Sequence, residues 1–179
     1  RGKVYAFEAQ EYVYYALAGN IAINNCFNAS AIYAAVSSNC SKIKVPTPNY
    51  LLPSSFGSLE IKQRKNNEFI GQKIDYSEKK MKEINSISID SLNFKRIDFI
   101  KIDVEGMELD VLEGAKQSLK NHLPILIVES IKTDKEKLTS LLKGIGYNIY
   151  PVGINFLAIH KSDKINKDIK ISDGKINIL

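Results

Sequence analysis

Short apolar runs alternate along the chain with amphipathic stretches, and the change of period between them predicts the elements. Residues 4–9 (VYAFEA) read as a strand. In residues 11–24 (EYVYYALAGNIAIN), Val13, Ala16, Leu17 and Ile21 recur at helical spacing. Residues 30–37 (SAIYAAVS) read as the next strand. Residues 97–104 (IDFIKIDV) form another, apolar on both faces apart from Asp98 and Lys101. A helix follows over 107–122, with Val111, Leu112, Ala115 and Leu119 on one face. Residues 124–130 (PILIVES) read as a fully apolar strand, and 134–146 as an amphipathic helix ended by Gly144 and Gly146. YNIYPV and NFLAIHK then predict a hairpin around Gly153. Between 38 and 88, Pro46, Pro48, Pro53, Gly57 and Gly71 break the pattern. That stretch reads as irregular, with extended pieces such as SLEIK and a short helix near 77–83. The tail from Lys161 is polar and either adds a strand or frays.

Buried strands alternating with helices predict an α/β sheet covered on both sides, mostly parallel, with an antiparallel hairpin at one edge. The expected organisation is one domain over 1–161, with 38–88 as a variable insertion or lid and 162–179 as a polar tail. No internal repeat is visible.

Composition changes this picture little. Of 179 residues, 44% are hydrophobic and 25% charged, as in an ordinary globular protein. No apolar run nears the roughly 18 residues of a membrane span, and no signal peptide is visible. Cys26 and Cys40 make no disulfide framework; two buried reduced thiols are expected, consistent with a cytoplasmic setting. The net charge of +5 is concentrated: residues 61–102 carry 10 basic and 6 acidic groups. This excess reads first as a solvated face, and second as attraction for an anionic partner. Zinc-finger spacing, aromatic RNA-binding strands and dense basic tracts are absent, so nucleic acid is not the expected partner.

The candidate chemistry lies at strand ends. Glu8, Asp103 and Glu129 each close a predicted strand, and in such sheets ligands bind outside the carboxyl ends. Gly106 permits a tight turn from strand to helix. Glu108 and Asp110 read as anions stabilised at a helix start; Asp103 and Glu105 read either as caps or as ligand contacts. A strand-end acid such as Glu8 can accept the two hydroxyls of a ribose, as dehydrogenases also arrange. His122 reads as a residue of a helix end and His160 as the end of an edge strand. Tyr12, Tyr14 and Tyr15 read as helix packing. No nucleophile–histidine arrangement can be read from the spacing.

At IDFIKIDVEGMELDVLEGA followed by LPILIVE, the sequence resembles the FkbM family of S-adenosylmethionine-dependent methyltransferases. GKVYAFEAQ and LAGNIAINN are similar to a second family block. AAVS, SIDSL and the Pro-rich loop VPTPNYLLPSSFGSLEI also fit. The resemblance spans roughly residues 2–161. It implies a Rossmann-like methyltransferase sheet with an antiparallel last strand, and O-methylation of a sugar, glycan or other hydroxylated metabolite. It places Glu8 at the cofactor ribose and Ala35, Val36 and Ser37 near the adenine. It places Asp103 and Glu105 at the reaction end, with Asp103 orienting acceptor or cofactor. Tyr50 and Phe56 are the expected substrate lid. No metal is assigned; a divalent ion bridging Asp103 and Glu129 is the lesser reading.

Two departures stand out. Ala9 replaces the proline that usually follows the glutamate. The strand ending in Asp-x-Gly-x-x-x-Gly that the family expects before VYAFE does not occur in these residues. The resemblance therefore implies a chain lacking its amino-terminal βα unit, with open strand edges that favour self-association. The alternative function is an inactive or truncated methyltransferase-like module that binds a ligand or partner without catalysis.

Overall fold

The computed structural model describes residues 2–172 and 175–178, with side chains described to residue 169. The chain forms two compact units, residues 1–88 and 89–179.

In the first unit, β1 (Val4–Glu8) pairs in parallel with β2 (Ala29–Tyr33), joined by α1 (Glu11–Ile23). The expected strand over 30–37 is divided. After Tyr33 the chain leaves the first sheet, and β3 (Ala35–Val36) joins another. That second sheet also contains β4 (Ser41–Pro46) and β5 (Met81–Ile87), in the order β3-β5-β4. The stretch expected to be irregular thus supplies two of its strands. The helix expected near 77–83 is a single 3-10 turn, Glu78–Lys80, that runs directly into β5. SLEIK forms no strand. The reason lies in pairing: β4 and β5 are antiparallel partners separated by residues 47–80, matched Ile43 to Ile84 and Lys44 to Glu83. Ile84 packs with Ala35 and Val45, with Tyr33, Ile43 and Ile61 around them.

In the second unit, β6 (Phe99–Ile102) and β7 (Ile125–Glu129) are parallel. The hairpin β8 (Tyr147–Val152) and β9 (Asn155–His160) forms as expected, and β9 inserts beside β7, giving the order β6-β7-β9-β8. His160 therefore closes an interior strand and not an edge strand. Among the described strand pairs, three are parallel and four antiparallel, so the sheets are mixed where a mostly parallel one was expected. β6 is an edge strand of its sheet with Phe99 half exposed, not buried on both faces. Residues 107–122 make two short helices, α2 (Glu108–Glu113) and α3 (Lys116–His122), broken at Gly114 and Ala115. Asp90 explains the break: its carboxylate accepts from the N–H groups of Gln117 (3.0 Å) and Ser118 (2.7 Å), capping α3 afresh. α4 (Lys135–Gly144) is capped by Asp134, which accepts from the Lys137 N–H. Leu112, Leu119, Leu126, Leu138 and Leu142 are fully buried and form the heart of this unit. The tail adds a second hairpin, β10 (Ile169–Ser172) with β11 (Lys175–Ile178). Neither cysteine is in a disulfide, and where buried thiols were expected Cys40 is exposed and Cys26 only half-buried.

Gly146 stands between α4 and β8 at φ +92°, and a Cβ there would meet His160 Nε2 at 2.7 Å. The imidazole is held by Ser162 Oγ (2.7 Å) and by the Tyr147 ring, so it has little freedom to yield. Gly146→Ala is expected to lower stability by about 1–3 kcal/mol. A fall in the urea midpoint at unchanged slope checks this.

Candidate functional site

The Rossmann-type expectation points to the carboxyl ends of the strands, and chemistry-bearing residues are gathered there in each unit.

In the first unit, β1 ends on Glu8. Its Oε1 accepts the Gln10 N–H at 2.6 Å, which bends the chain from strand into α1. Burial raises the Glu8 carboxyl above its ordinary range, partly offset by the N–H groups of Gln10 and Ala9. The Ala34 N–H donates to the Glu8 carbonyl (3.2 Å), so the segment after β2 runs past the end of β1. Ala35 is buried there, and the Ser37 N–H bonds to Ile87 O (2.8 Å). The four residues assigned to the cofactor, Glu8, Ala35, Val36 and Ser37, thus lie at or just after the ends of two paired strands.

The Pro-rich loop comes back to the same end. Gln10 Nε2 donates to Phe56 O at 2.7 Å. Tyr50 stacks between Tyr12 (ring centroids 4.8 Å) and Phe56 (5.0 Å), and Tyr14 meets Tyr33 at 5.4 Å. Tyr12 therefore packs on the loop and not only on its own helix. Burial, with the Glu8 charge next in weight, pushes the Tyr50 phenol up to about 12. A cavity of about 30 Å³ lies between Gln10, Tyr12, Tyr33, Tyr50 and Lys82. Lys82 pairs with Glu11 (2.5 Å) and lies over the Tyr33 ring.

In the second unit, the register Ile102↔Val128 sets Asp103, just past β6, beside Glu129, the last residue of β7. Glu105 (φ +53°) and Gly106 (φ +92°) follow in left-handed conformations, which turn the chain sharply. Glu108 secures that turn: its Oε1 accepts from the N–H of Gly106 (3.0 Å) and of Val104 (3.4 Å). Glu108 is almost wholly buried, so it is a brace for the loop and not merely an anion at a helix start. The turn brings Glu105 back, and one oxygen each of Asp103, Glu105 and Glu129 lies within 4.8 Å of the others. Lys101 pairs with exposed Asp103 (2.5 Å), and Lys132 pairs with Glu105 (2.6 Å) in a more enclosed setting. Spacing along the sequence gave no sign of Lys132 as a partner, since it depends on how the segment after β7 folds back. Glu129 carries the largest perturbation of the group. Burial, then the charges of Asp103, Glu105 and Glu108, push its carboxyl up to about 7, opposed by Lys132.

These features sit on a mixed α/β fold. The family model described as the methyltransferase FkbM domain matches residues 1–149, and the chain belongs to that family. The crystal structure of methyltransferase FkbM from Methylobacillus flagellatus KT has a similar fold, with a TM-score of 0.57 at 17% identity. The similarity covers 88% of this chain and 36% of that one, so the chain spans about a third of its solved relative's length. No curated protein matches it significantly. Among the described residues, no helix is long and apolar enough to cross a membrane.

The raised Glu129 carboxyl links stability to pH. The folded chain holds this proton more tightly than the unfolded chain does. Its contribution is therefore fully favourable below about 4.5 and is lost as pH rises through about 7. In chelator-containing buffer, the melting temperature of Glu129→Gln is expected to gain on that of the parent by a few degrees between pH 5 and pH 8. Parallel melting curves at the two pH values read this difference.

Proposed function

We propose that this chain is the adenosine-binding and acceptor-binding portion of an S-adenosylmethionine-dependent O-methyltransferase of the Rossmann-like class. Its acceptor is a sugar, glycan or other hydroxylated metabolite. The observation that carries the reading is Glu8, a desolvated carboxylate closing a parallel strand beside the Ala34–Ser37 segment.

The residues present fit the cofactor's nucleoside. A carboxylate accepts hydrogen bonds and donates none, so Glu8 suits the two ribose hydroxyls. Ala35, Val36 and Ser37 offer small side chains beside it, where an adenine needs close approach. Tyr50 and Phe56 lie on the loop tied to Gln10 and act as the lid over this end. S-adenosylmethionine supplies an activated methyl group on a sulfonium to an acceptor oxygen. Asp103 orients the acceptor by accepting its hydroxyl proton in a hydrogen bond, and Glu105 is the second such group. Holding acceptor and methyl in line supplies much of the rate in such a transfer.

Calorimetric titration with S-adenosylhomocysteine tests the reading. Saturable binding is expected, weakened about 10- to 100-fold in Glu8→Ala, the loss that removal of hydrogen bonds to a charged acceptor brings. Absence of binding to the folded chain, or equal binding by the variant, would count against it.

A further inference from the structure

We infer that the carboxylates at the ends of β6 and β7 form a binding site for a hard divalent cation, with Asp103, Glu105 and Glu129 as ligands. The inference does not depend on the methyl-transfer reading, because it rests on the second unit's own geometry.

Proximity comes first. The three oxygens lie within 4.8 Å of one another. Oxygens around one magnesium, manganese or calcium ion, at bond lengths of about 2.0–2.6 Å, stand at most about 4–5 Å apart, so little movement is required. The positions are also fixed by backbone. Asp103 and Glu129 follow from a parallel register, and Glu105 from a left-handed turn braced by Glu108.

A second observation points to a ligand. Glu129 is 9% exposed, and its Oε2 is buried with no hydrogen-bond partner. An isolated buried carboxylate oxygen is costly. A cation held jointly with Asp103 and Glu105 satisfies it. Glu108, also buried, adds negative charge behind the group while its own Oε1 is engaged by the turn.

Charge balance agrees. Three carboxylates face two lysines, Lys101 and Lys132, and Lys101 is exposed to solvent. A net negative charge remains in the cluster before Glu108 is counted. Lys101 competes for Asp103 from the exposed side and Lys132 for Glu105 in an enclosed setting, so Glu129 is the primary ligand, with Asp103 and Glu105 completing the set. The donors are all oxygen, with no imidazole or thiolate in the group. That selects magnesium, manganese or calcium over zinc or copper.

The test uses the chelator-stripped chain titrated with Mn²⁺, read by the paramagnetic resonance of the free ion, with Mg²⁺ as competitor. One saturable site is expected in the micromolar to millimolar range. Glu129→Gln and Asp103→Asn are each expected to weaken it at least tenfold. Glu136→Gln, an exposed acid on α4, is expected to leave it unchanged. Absence of saturable binding up to 10-fold above that range, or equal affinity in all three variants, would overturn the site. Circular dichroism of each variant confirms that the comparison is between folded chains. Because no S-adenosyl compound is present, failure here and failure of the methyltransferase reading are separately visible.

Discussion

The carboxylate of Glu108 holds the second unit's candidate site in shape. A chain leaving β6 must reverse within a few residues to start α2, and it does so through two consecutive left-handed residues, Glu105 and Gly106. For glutamate that conformation costs about 1–3 kcal/mol. The cost is offset by two backbone N–H groups that converge on Glu108 Oε1. Charge-assisted bonds of this kind are stronger than neutral ones, and burial strengthens them further. The brace and the enclosed Lys132 ion pair together keep Glu105 folded back beside Asp103 and Glu129.

The same logic, a side chain spent on backbone donors, recurs through the fold. Asp90 ends the ambiguity of a 16-residue helical pattern by capping α3 from 27 residues away. Glu8 turns β1 into α1 through Gln10. Acidic residues that look like a charge cluster in the sequence thus divide into two groups. Glu8, Asp90, Glu108 and Asp134 accept backbone N–H bonds and shape the chain. Asp103, Glu105 and Glu129 instead face one another or a lysine.

This division marks the limit of what the sequence makes legible. The strand ends at Glu8 and Glu129 are visible because each follows an unbroken apolar run, and the one at Asp103 because only Asp98 and Lys101 interrupt its run. The hairpin from Tyr147 to His160 is visible because its turn glycine and its alternation agree. β4 and β5 were hidden because charged residues interrupt both, Lys42 and Lys44 in one and Lys82 and Glu83 in the other, and because residues 47–80 separate the two partners. KIKV and MKEINSI are clear strands only once Ile43 and Ile84 are known to be matched. The break at Gly114 was hidden for the same reason: the residue that causes it is distant. Local pattern identifies elements whose burial is continuous; elements made amphipathic by a remote partner require that partner to be seen.

Glu129 is the residue that stability alone accounts for least. It sits at the end of an otherwise apolar strand, where valine or leucine would be buried at a gain of about 1.5–3 kcal/mol. Instead it brings a carboxylate within reach of two others, and burial, then their charges, push its carboxyl up to about 7. Lys132 relieves Glu105, and Lys101 relieves Asp103, yet neither pairs with Glu129. A buried ion pair is at best neutral beside a well-packed apolar replacement, and an unpaired buried charge is worse. The arrangement is therefore explained by what the site binds, and the energy withheld from folding at Glu129 becomes available to a ligand that satisfies its oxygen.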